Sequence, residues 1–178
     1  MGSEWSLMCA WLRSAFFIPL TCRGSSVVVC TCSTLSGAAE QLTNAVGIPV
    51  VRIDRPMAQR AAALGGRIAV VVAVPSSLAP TRDLLIECIA AARNEATLIE
   101  APCLDAGHLF QAGDFAGYVD QVGAHARLLA DRADVIVLAQ ASMAPAADQL
   151  TDLPIVVLCS PAIAAERAIA IARGNLRR

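Results

Sequence analysis

Val27-Val28-Val29-Cys30-Thr31-Cys32-Ser33-Thr34-Leu35-Ser36-Gly37 decides how the chain reads. A buried-type strand runs straight into small polar residues, with a cysteine at the junction and a helix-forming stretch behind it. Open α/β sheets present reactive groups at such a place, at the carboxyl end of a strand beside the amino end of a helix. The partial positive charge of a helix start stabilises an anion next to it, and the thiolate is the reactive form of cysteine. Cys32 is therefore the first candidate for chemistry. Thr31, Ser33 and Thr34 around it are poor core formers and good contacts for an anion. Cys30 lies inside the strand and reads as core.

Strand and helix patterns alternate from Ser26 onward. Val27–Cys30, Ile48–Ile53, Ile68–Val74, Thr97–Glu100, Val135–Ala139 and Ile155–Leu158 read as strands. Ser36–Ala45, Pro56–Leu64, Pro80–Arg93, Pro145–Leu150 and Pro161–Arg173 read as helices. A further helix, capped by Asp114, runs to about Arg132 after a loop. Gly47, Gly65-Gly66 and Gly174-Asn175 close three of these helices. Regular alternation of this kind means a parallel sheet with helices on both faces, an α/β fold. Composition agrees: 56% of residues are hydrophobic and only 4% aromatic, which suits branched-aliphatic strands buried on both faces. The stretch Asp134 to Ser142 loosely repeats Ser26 to Ser33, and each is followed by a proline and another apolar strand. The repeat suggests two similar lobes whose strand ends face a shared cleft.

Several classes drop out. The net charge is −1 and no basic stripe is present, which excludes nucleic acid as a partner. Seven cysteines and two histidines form no CxxC pair or other ligand spacing, so no metal site is expected. The cysteines read as reduced thiols of a cytoplasmic protein. Leu7 to Cys22 is apolar but broken by Arg13, Ser14 and Pro19, too short to span a membrane. Glu4 disfavours a signal peptide. Asp54 and Arg55 read as rim or surface charges, His125 as part of a solvated face, and Asp114 as a helix cap. Ser76 and Ser77 follow a strand and precede a helix, where they serve either as caps or as contacts to a bound carboxylate.

The chain resembles the aspartate/glutamate/hydantoin racemase superfamily over about residues 26–173. The resemblance rests on Cys30-Thr31-Cys32-Ser33-Thr34, Arg52-Ile53-Asp54-Arg55-Pro56-Met57, Arg67 to Val74 with Ser76-Ser77, Leu138-Ala139-Gln140-Ala141-Ser142-Met143-Ala144, and Ser160-Pro161. It implies two α/β lobes: one about 26–74 with the C-terminal helix, the other about 75–160. An atypical segment, 1–25, stands where the family has its leading strand and helix, so the first lobe is expected to lack that unit. The family works without a cofactor, on a small carboxylate, and its members are often homodimers. Two cysteines flank the substrate α-carbon, one taking the proton and the other returning it. Cys32 matches the first of them.

Gln140 stands at the position of the second, and a carboxamide neither takes nor gives a proton at useful pH. Ser77 matches the family's hydroxyl position better than Ser76. Gln140, Ala141 and Ser142 form a strand-end turn expected to line the pocket. The resemblance thus implies a cofactor-independent racemase or isomerase using thiol-mediated proton transfer next to a carboxylate. Two alternatives stay open. One is a single-cysteine decarboxylase of a malonate-like acid, although the family's arylmalonate decarboxylases keep the second-lobe cysteine. The other is a catalytically impaired carboxylate-binding homologue.

Overall fold

The computed structural model of the protein describes residues 24–174. The atypical segment 1–25 lies outside the described residues up to position 23, and so does the tail from position 175. Six strands are present among the described residues: β1 (Val28–Cys30), β2 (Val50–Arg52), β3 (Gly66–Val71), β4 (Ala96–Glu100), β5 (Val135–Leu138) and β6 (Val156–Cys159). Between β1 and β2 lie α1 (Ser33–Gln41) and α2 (Thr43–Val46), and α3 (Arg55–Leu64) precedes β3. Then come α4 (Leu78–Ala92), α5 (Leu104–Gln111), α6 (Phe115–Arg127), α7 (Ala144–Asp148) and α8 (Ser160–Ala172). Short 3-10 turns cover Pro75–Ser77 and Ala141–Met143.

The strands form two sheets, β1-β2 and β4-β3-β5-β6, and every pairing is parallel. This is the α/β architecture with parallel strands that the sequence predicts. In the larger sheet the alternation of side chains sorts the core. Ala69, Val71, Ile136 and Leu138 face a cluster with Tyr118, Val122 and Ala126 of α6. Ile68, Val70, Val135 and Val137 face the other way, onto Met57, Ala58, Ala61 and Ala62 of α3 and Leu84, Leu85 and Cys88 of α4. Helices cover both faces, which is why β3 and β5 have no polar residue in their buried runs. The smaller sheet packs on α1 through Ala38, Ala39, Leu42 and Val50, with Val28 and Cys30 against them.

Two compact units result: 24–53 with 164–174, and Asp54–Ile163. These units part at Ile53/Asp54, whereas the lobes expected from the sequence part near residue 74. The reason is pairing: β3 sits between β4 and β5, so the strand expected in lobe one is an inner strand of the larger unit. From Ala164 onward the C-terminal helix groups with the smaller unit.

Two local departures have physical causes. The single helix expected over Ser36–Ala45 is split at Leu42. The Thr43 hydroxyl donates to Glu40 O at 3.0 Å and accepts from Val50 N at 3.1 Å, so it anchors the start of β2 instead of continuing α1. The stretch expected as a loop before Asp114 contains α5. Glycines at 107 and 113 and Pro102 hide it in the sequence. Gly107 is needed because a Cβ there would run into the carbonyl oxygen of Ala73, so α5 docks directly on the backbone beyond β3. Asp114 caps α6 as expected, its carboxylate accepting from Gly117 N at 2.9 Å. Asp54, expected at the surface, is fully buried.

Candidate functional site

Cys32 occupies the N-cap position of α1, with extended backbone (φ −97°, ψ 110°) directly after β1. Its carbonyl is held three times, accepting from Leu35 N at 3.1 Å, Ser36 N at 2.9 Å and the Ser36 hydroxyl at 2.7 Å. The residue itself is exposed. The strand end and the first turn thus fix the Cys32 backbone while leaving its side chain accessible. Thr31 and Thr34 are exposed and Ser33 is half-buried. Cys30 is half-buried, packs against the smaller core, and has its sulfur 3.9 Å from Cys32 O. These residues all belong to the smaller unit.

In the larger unit, three strand ends are followed by helical starts: β3 by the Pro75–Ser77 turn and α4, β5 by the Ala141–Met143 turn and α7, and β6 by α8. Helix starts at the carboxyl ends of parallel strands offer free N–H groups to anions. Ser76 is exposed. Ser77 is buried at the N-cap position of α4, yet its side chain makes no capping bond. Of the two roles open to it, capping is not the one its side chain takes. Thr81, one helical turn on and on the same face as Ser77, has a buried hydroxyl with no partner among the described residues, and so has Ser160 at the start of α8. Sequence reasoning missed Thr81. The only signal was a hydroxyl in the first turn after a strand end.

Gln140 bridges two strand ends. Its side-chain oxygen accepts from Ala73 N at 2.6 Å. An N–H partner identifies that atom as oxygen, so the carboxamide's remaining groups are two N–H donors. The Gln140 carbonyl lies 3.7 Å from the Cys159 sulfur. Burial, opposed by a hydrogen bond from the Ser160 backbone and aided slightly by Asp148, pushes the Cys159 thiol up to about 11. Cys159 therefore stays protonated near neutrality, a hydrogen-bond donor and not a base. Ala141 and Ser142 are half-buried, and the Ser142 hydroxyl pairs with the Tyr118 hydroxyl at 2.8 Å. Burial raises the Tyr118 phenol against the opposing effect of Ser142. Ser142 is thereby part of a structural pair that joins the turn to α6.

Other polar residues have structural partners. His125, expected to be solvated, is half-buried with Nε2 3.0 Å from Ala101 O. Arg55 pairs with Glu87 at 2.8 Å. Among the described residues no group of three His, Cys, Asp or Glu side chains gathers as metal ligands. No helix there is long and apolar enough to cross a membrane.

The arrangement offers an accessible thiol at a strand–helix junction in one unit. In the other it offers hydroxyl and amide donors at the ends of three adjacent strands. Known folds resemble it over almost the whole chain. Glutamate racemase from Francisella tularensis, solved with D-glutamate, matches with a TM-score of 0.69 at 12% identity, over 98% of this chain and 66% of that one. Allantoin racemase from Klebsiella pneumoniae matches at 0.63 and 20% identity, over 90% of this chain and 64% of that one. Arylmalonate decarboxylase matches at 0.62 and 15% identity, over 99% of this chain and 80% of that one. The chain thus spans just under two thirds of the length of these two racemases. No curated protein matches it at a significant level. The Asp/Glu/Hydantoin racemase profile matches residues 8–168, nearly the full length. By that match the chain belongs to the Asp/Glu/Hydantoin racemase family.

Proposed function

We propose that the protein carries out cofactor-independent, thiol-mediated proton transfer at the carbon next to the carboxylate of a small acid or amino acid. The observation that supports this most is Cys32: an exposed sulfur on a backbone pinned at the start of a helix. In the proposed step the Cys32 thiolate removes the α-proton. The C–H electron pair moves into the carboxylate as an enolate, and the thiol returns the proton. Donors at the strand ends of the larger unit, Ser77 and the Gln140 amide first among them, stabilise the enolate oxygens. Thr31, Ser33, Thr34, Ser76, Ala141 and Ser142 complete the proposed substrate contacts.

Gln140 gives this chemistry a direction. The family resemblance assigns its position to the second thiol, and a carboxamide whose oxygen is held by Ala73 N–H supplies hydrogen bonds but no proton. One thiol exchanges the α-hydrogen on one face without inverting the centre. The same feature favours a second reading, decarboxylation of a malonate-like acid, in which loss of carbon dioxide forms the enolate and the Cys32 thiol protonates it. Only one proton donor is then needed.

The two are separated by NMR in deuterated water with pooled small carboxylic acids, amino acids, hydantoins and malonates. Exchange at the α-carbon is expected, with at least a ~100-fold loss in Cys32→Ala. Carbon dioxide release from a malonate, equally dependent on Cys32, selects the second reading. Binding of carboxylates with neither reaction leaves a ligand-binding homologue and rules out both.

A further inference from the structure

Cys30 and Cys32 are separated only by Thr31, and the fold exposes them differently. Of the five cysteines among the described residues, Cys32 is the exposed one; Cys30 and Cys159 are half-buried, and Cys88 and Cys103 are buried. Burial also raises the Cys103 and Cys159 thiols, which keeps both protonated near neutrality. Oxidants attack an accessible thiolate, so among these five Cys32 meets them first.

Cys30 is placed to respond. Side chains at alternate positions of an extended chain turn the same way. Cys30 ends β1, and the Cys32 backbone is still extended. The Cys30 sulfur reaches past Thr31 to within 3.9 Å of the Cys32 carbonyl oxygen. Two residues of extended chain span about 6.6 Å, inside the Cα range that disulfides bridge, but the Cβ atoms must close to about 3.8 Å.

The chain can bend where that closure requires it. The β1–β2 ladder ends at the Cys30–Arg52 pair, with Ile53 N donating to Cys30 O at 3.0 Å. Thr31, which is exposed, lies beyond that last rung. On its other side, Cys32 is tied to α1 through the three hydrogen bonds to its carbonyl. A bridge therefore pulls on the first turn of α1, and that strain favours reopening by a reductant.

We propose that Cys30 and Cys32 form a peroxide-responsive pair, in which Cys32 is oxidised first and Cys30 traps it as an internal disulfide. Hydrogen peroxide supplies the oxidising equivalents. The Cys32 thiolate attacks one peroxide oxygen, the O–O bond breaks, and hydroxide leaves, giving a sulfenic acid. The Cys30 sulfur then attacks the Cys32 sulfur, the S–O bond breaks, and the oxygen leaves as water with the Cys30 proton. A dithiol reduces the bridge to two thiols and is itself oxidised to a disulfide. The pair depends on the positions of the two sulfurs alone, so it is independent of the proton-transfer reading. Where that reading holds, the bridge withdraws its thiolate and protects Cys32 from irreversible oxidation.

Trypsin cuts after Arg23 and Arg52, and the peptide between them holds Cys30 and Cys32 and no other cysteine. The test is mass spectrometry of that peptide after the reduced full chain is exposed to hydrogen peroxide, with free thiols alkylated before digestion. The wild type is expected to yield the peptide unalkylated and lighter by a pair of hydrogens, and dithiothreitol to restore both alkylation sites. In Cys30→Ser the trap is gone, and Cys32 is expected to accumulate sulfinic and sulfonic acids at least ~10-fold faster than in the wild type. In Cys32→Ser, Cys30 is expected to stay reduced. Wild-type Cys32 bridged to a different peptide, or overoxidised as fast as in Cys30→Ser, overturns the proposal. So does a wild-type peptide that keeps both thiols, or oxidation of Cys30 undiminished in Cys32→Ser.

Discussion

A buried N–H needs an acceptor, and Ala73 finds its own in Gln140. Removing that oxygen strands the Ala73 N–H, so Gln140→Ala is expected to cost about 1–3 kcal/mol in denaturant unfolding. An unchanged midpoint would show that water takes over the bond. The partner lies 67 positions away in sequence, which explains why the strand-end turn at 140 was legible and its structural bond was not. The strand–helix junction at Cys32 was legible because its signal is local: an apolar run, a polar break, a helix. Asp54 and His125 were misjudged because the surroundings of a charge come from segments far along the chain, such as Ala101 for His125.

The six strands among the described residues were all legible as apolar runs, since strands buried on both faces carry their burial in their composition. Helix α5 was not, because its glycine serves a contact with another element. Between elements, the starts of β3 and β5 are clamped by Arg67 and Asp134. The Asp134 carboxylate accepts from Arg67 N at 2.7 Å, Nε at 3.1 Å and Nη2 at 2.9 Å. Gly66, at φ +72°, gives the carboxylate room. The Arg67 side chain, and then its backbone N–H, hold the Asp134 carboxyl down at about 2 against an ordinary 3.8. A carboxyl lowered on folding stabilises the fold above its unfolded value, and the contribution is lost as pH falls through the folded one. Asp134→Asn should therefore lower Tm at neutral pH. The gap to wild type should close between about pH 4 and the folded value. A gap independent of pH would mean that the charge plays no part.

At the scale of the molecule the two units differ in how much core their described residues hold. In the larger unit, β3 and β5 are fully buried from Ile68 to Val71 and from Ile136 to Leu138, under two large clusters. Among the described residues the smaller unit's cluster has four buried residues. Local opening free energy follows buried apolar contact. Amide hydrogen exchange is expected to be slowest in β3 and β5 and clearly faster in β1, α1 and β2. Equal protection in both would contradict this. The sequence repeat reports strand–turn–helix modules, whereas the division into compact units depends on which strands pair.

The Ala73 peptide is hemmed in on both sides: the Gln140 oxygen takes its N–H, and the bare Cα of Gly107 leaves space for its C=O. Putting a thiol at 140 would strip that peptide of its acceptor, and the helix at 107 leaves no room for the backbone to turn elsewhere. A cysteine at 140 thus demands a compensating change elsewhere before it can be tolerated.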